Sequence, residues 1–126
     1  MSYTNVSNLN SLPTEILRGL IFYKEEIKIL QDRLEEVSSR NNSFEARQGI
    51  EHFQNQFVMH QNNIDELKHN LNLLVEKMAK DAMQHGGRIE KEEVNEEEKL
   101  NDEFVMLEKV IKDMRKEFNL FLSKWM

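Results

Sequence analysis

Apolar residues recur in steps of four and three along most of this chain. From Ile16 they fall at Leu20, Tyr23, Ile27, Leu30, Leu34 and Val37 without a break. From Ile50 they run through Phe53, Phe57, His60, Ile64, Leu67, Leu71, Leu74 and Met78, with one histidine inside the series. From Leu100 they pass through Phe104, Leu107, Ile111, Met114, Phe118, Phe121 and Trp125. An α-helix turns once every 3.6 residues, so alternating steps of three and four hold one stripe on one side of a rod. Each rod buries its stripe only by meeting another. The pattern therefore predicts an all-α, antiparallel three-helix bundle containing a long, coiled-coil-like helical hairpin.

Local signals set the boundaries. Ser11-Leu12-Pro13-Thr14-Glu15 is a helix start, because proline is tolerated in the first turn and an acid suits the positive end of the helix dipole. Ser38-Ser39-Arg40-Asn41-Asn42 is a polar stop. Asn42-Ser43-Phe44-Glu45 offers a new N-cap with Glu three residues on. His85-Gly86-Gly87 suits a left-handed C-cap and a tight reversal. The expected organisation is a flexible N-terminal tail at 1–11 and a single domain at 12–126, with helices at about 13–39, 43–84 and 89–125. Short loops make neighbouring helices antiparallel. The first helix is then too short to flank all of the second. Its far half, from about Asn70, is expected to pair only with the arm upstream of Leu100. That arm holds six glutamates between Glu90 and Glu98, and it is expected to be solvated or frayed.

Composition removes several classes of function. The net charge is -6 and the pI is near 5.3, which disfavours nucleic acid, since phosphate contacts need clustered Lys and Arg. The longest apolar runs, Leu20-Ile21-Phe22-Tyr23 and Phe104-Val105-Met106-Leu107, are too short to span a bilayer. The N-terminus has neither a basic start nor an apolar core, so no signal peptide is expected. There is no cysteine, so disulfides, thiol catalysis and Cys-type zinc sites are excluded. A cytoplasmic setting fits.

The sharpest chemical question lies in the second helix. Glu66-Leu67-Lys68-His69 is an E-x-x-H of the kind that ferritin-like bundles use to hold iron. A di-iron bundle needs inward E-x-x-H motifs on two helices and inward glutamates on two more. With Ile50, Phe57, Ile64, Leu71 and Met78 taken as heptad position a, Glu66 is at c and His69 at f, both turned outward. There is one motif and no second copy, so no metal or cofactor is expected there. Glu93-Val94-Asn95-Glu96 is like the magnesium-binding motifs of helical nucleotide pyrophosphohydrolases, which need a second acidic motif across the bundle. Asp32-Arg33-Leu34-Glu35 is at the wrong end. No Ser/His/Asp arrangement or phosphate-cradling glycine loop is present, and no catalytic residue is assigned.

His60 falls at d, inside the stripe. Counting back from the turns places it near Phe22 and Tyr23, and near Ile111 to Asp113. Tyr23 also occupies a stripe position. The two are expected to form a buried polar layer, hydroxyl to imidazole, that fixes helix register. Apolar residues off the stripes, Phe22 and Ile29 above all, are expected to stay exposed. Leu71, Leu74 and Met78 would face a mostly charged arm. These five form the candidate interface, since apolar patches of a few hundred Å² usually mark a partner. The expected function is a non-catalytic scaffold or adaptor that self-associates, as a homodimer, and engages another protein, with no nucleic acid and no membrane. The rival is a metal-binding or metal-dependent helical-bundle enzyme.

Overall fold

The computed structural model describes residues 3–5, 11–84 and 88–126. Three helices dominate: α1 Ser11–Arg40, α2 Phe44–Gln84 and α3 Lys91–Trp125. At 1.5 Å per residue they are about 45, 60 and 50 Å long. The all-α bundle expected from the stripes is the fold observed. The Gly86-Gly87 reversal lies outside the described residues.

The stripes are the core. Every stripe residue of α1, from Ile16 to Val37, is buried, and so is every one of α2, from Ile50 to Met78. On α3, Leu100, Leu107, Ile111, Met114 and Phe118 are buried, while Phe104, Phe121 and Trp125 are half-buried. Full burial of each such side chain is worth about 1.5–3 kcal/mol, which is why a chain with few turn formers still collapses.

Polar contacts record the helix directions. Lys24 pairs with Asp65 at 2.6 Å and Arg47 reaches Ser38, so α1 and α2 are antiparallel. Lys124 pairs with Glu45, Phe121 meets Phe53 and Phe118 meets Phe57, so α2 and α3 are too. Between α1 and α3 the partner numbers rise together: Tyr23 with Glu108, Glu26 with Arg115, Asn41 with Trp125. These two helices are therefore parallel. Ser43 caps α2, its Oγ accepting the Ala46 N–H at 3.2 Å. Glu45, expected as the reciprocal member of a capping box, reaches Lys124 instead. Asn41 closes the same end by donating to the carbonyls of Val37 at 2.9 Å and Trp125 at 3.1 Å.

Two expectations about the far end need correction. Three residues of the anticipated free tail, Tyr3–Asn5, form a strand, β1, antiparallel to Arg88–Glu90, β2. The third helix accordingly starts at Lys91, two residues after the expected position, and β2 packs against α2 and α3. The second correction concerns the acidic arm. From Lys91 onward it is helical, and Glu93 (0 % exposed) and Glu97 (2 %) are buried in it. Counting back from Leu100 in steps of three and four reaches Glu97 and then Glu93. The stripe does not stop at Leu100; it continues with glutamate in place of hydrocarbon.

Two glycines set the helix spacing. A Cβ on Gly19 would overlap the ring of Phe104, and a Cβ on Gly49 would overlap the ring of Phe121. Each glycine is thus the floor of a hole that receives an aromatic knob from α3. Phe121 there joins Phe53 at 5.1 Å and Phe118 at 6.2 Å between ring centroids.

Candidate interaction surface and its buried polar groups

The two polar stripe residues are both buried, but they do not satisfy each other. The Tyr23 hydroxyl donates to Glu108 Oε2 at 2.5 Å. Beside it, Arg115 Nη1 lies 2.9 Å from both carboxylate oxygens of Glu26. Burial and then the hydrogen bond to Glu108 push the Tyr23 phenol well above its ordinary pKa, with the nearby Glu26 charge adding to the rise and Arg115 opposing it. The phenol stays protonated and donating, and the α1–α3 contact has a defined polar register.

His60 has no such partner. It is 1 % exposed, and neither ring nitrogen makes a hydrogen bond. The Gln31–Gln61 amide pair, 3.2 and 3.4 Å in its two directions, sets this level of α2 beside Gln31, about two turns beyond Tyr23 along α1. Helical side chains lean toward their own N-terminus, so antiparallel residues do not meet where a count from the turn puts them. Burial lowers the His60 pKa and holds the ring neutral. Glu97 is shifted the other way. Burial, and secondarily the charge of Glu98, raise its carboxyl to about 7, and its Oε2 makes no hydrogen bond.

Glu66 and His69 are both exposed on α2, as their c and f positions predict. Among the described residues, no group of three or more His, Asp or Glu is placed to hold a metal ion.

The five candidate interface residues divide. Phe22 is 56 % exposed and Ile29 61 %. They are seven residues apart and therefore share one face of α1. Phe22 is held edge-on against Tyr23 at 5.2 Å. Leu71, Leu74 and Met78 are instead core, at most 2 % exposed. The arm expected to leave them bare is a packed helix that brings Val94 and Leu100 into the same apolar cluster, with Leu12 and Ile16 of α1 joining it.

A surface missing from the sequence reading lies between α2 and α3. A groove of about 400 Å³ has a floor of Leu67, Leu107 and the carbon edge of His60, and walls of Met59, Met106 and Val110. Glu66, Glu103, Asn63 and Asn70 complete its lining. No residue of α1 contributes. The signal was present as Met59, Met106 and Val110 falling off the stripes, but only the α2–α3 register brings them to one place.

No described helix is long and apolar enough to cross a membrane. The chain matches no family model, no curated protein and no solved structure.

Proposed function

We propose that this protein is a non-catalytic helical interaction module that self-associates as a homodimer through the outer face of α1 and acts as a scaffold or adaptor. The observation that carries the reading is the exposure of Phe22 and Ile29 on one face while the stripes already complete the core without them. Large apolar side chains that the fold does not need, set side by side, are what a buried interface uses. Arg18, Lys24 and Lys28 lie along the same helix, interrupted by Glu25 and Glu26, which supports a protein partner over an anionic membrane. The acidic, cysteine-free composition supports a cytoplasmic setting.

The test is solution mass by light scattering at tens of micromolar protein. The expected result is twice the 15.1 kDa chain mass. Phe22→Ser/Ile29→Ser should be monomeric with helicity intact. A wild-type monomer, or a double variant that still dimerises, would remove the proposal.

A further inference from the structure

We infer that the α2–α3 groove is a second docking site, separate from the α1 face, and that its occupant is a basic amphipathic helix of another protein. The dimensions point to a helix. The lining runs from Met59 to Asn70 along α2, a rise of about 16 Å, which is about three turns of a partner rod. Its apolar part is the kind of surface that takes such a rod. Met59, Met106 and Val110 are 45, 70 and 45 % exposed. Unbranched, polarisable methionines adapt to the ridges of an incoming helix.

Charge selects the partner. Two carboxylates, Glu66 and Glu103, line the groove and no Lys or Arg does. Both are exposed, and among the described residues neither has an ion-pair partner. A helix carrying a Leu/Met stripe with Lys or Arg on its flanks would bury the apolar floor and walls while setting cations against these two acids. The same charges oppose a second copy of this chain meeting groove to groove. That symmetric arrangement would bring Glu66 and Glu103 of each copy together, like charge on like charge.

The probe is a synthetic, fluorescently labelled helix of about 18 residues with a Leu/Met stripe and Lys flanks, titrated with the full-length protein and followed by anisotropy. Its control is the same stripe with Glu flanks. Binding is expected on the order of micromolar for the Lys-flanked helix, at least about tenfold weaker for the Glu-flanked one, and weaker again in high salt. Glu66→Lys/Glu103→Lys should reduce affinity about tenfold or more. Met106→Ser, at a position too exposed to matter for folding, should reduce it severalfold. Glu35→Lys/Glu36→Lys, which changes net charge equally at exposed sites on α1, should leave it unchanged, as should Phe22→Ser/Ile29→Ser. Absence of binding overturns the assignment. So does equal loss from the Glu35/Glu36 variant, which would make the attraction non-specific. A change of oligomeric mass in Glu66→Lys/Glu103→Lys would put a second copy in the groove and overturn it as well. Self-association through α1 is read by light scattering alone, so either proposal can fail without the other.

Discussion

Replacing Gly49 with alanine sets two well-characterised effects against each other. In an ordinary helix interior the change stabilises by about 1 kcal/mol, because glycine loses more backbone entropy on folding. Here the new methyl overlaps the ring of Phe121. That ring must swing out of its place beside Phe53 and Phe118, 5.1 and 6.2 Å away. Each aromatic pair is worth about 0.5–1.5 kcal/mol beyond its buried area, so two pairs cost about 2 kcal/mol. Re-exposing part of a half-buried ring adds about 1 kcal/mol. Subtracting the propensity gain leaves Gly49→Ala destabilised by about 2 kcal/mol, a fall in Tm of roughly 6–10 °C for a chain of this size. The assay is urea unfolding followed by circular dichroism, on a double-mutant cycle with Phe121→Ala. Once the ring is gone the three atoms that crowd the methyl go with it, and Gly49→Ala should then stabilise by about 1 kcal/mol. The sign reversal corresponds to a coupling of about 3 kcal/mol. A stabilised single variant, or the same effect in both backgrounds, refutes the knob-and-hole account.

Gly19→Ala should behave likewise against Phe104, with Phe104→Ala restoring the gain in the same unfolding assay. His60→Leu should stabilise at pH 7 by about 1–2 kcal/mol, because it removes two buried nitrogens that have no partner; a loss of stability in urea would contradict this. The two shifted groups should also produce opposite pH slopes. His60 has a lowered folded pKa, so the folded state binds fewer protons, and its contribution is complete above the ordinary 6.5 and declines as pH falls. Glu97 is raised from 4.5 to about 7, so its contribution is complete below 4.5 and is lost as pH rises through about 7. Midpoints measured from pH 4.5 to 8 should therefore rise with pH in Glu97→Gln and fall with pH in His60→Leu, with the wild type flatter than either. Parallel profiles for both variants would count against it. Tyr23→Phe should cost about 1 kcal/mol by deleting the donor to Glu108, and an unchanged urea midpoint would show that bond to be replaceable by water.

Helix number and the identity of nearly every core residue are legible in the sequence, and so is the outward placing of Glu66 and His69. The reason is that a period of three and four along one rod is a local property, written in side-chain chemistry within a few residues of each position. The same count, carried back from Leu100, would have placed Glu97 and Glu93 in the stripe. Their acidity points the other way, because a carboxylate is ordinarily hydrated. What no single rod records is which side chains meet across the gaps. Whether Tyr23 would bond His60 or Glu108, whether Leu71, Leu74 and Met78 would be covered, that Gly19 and Gly49 would be holes for Phe104 and Phe121, and that Met59, Met106 and Val110 would share one groove all depend on the axial offset between helices. That offset is set by packing summed over the whole length of the bundle, and shifting one helix by a single turn would leave every stripe intact while changing every one of those partners.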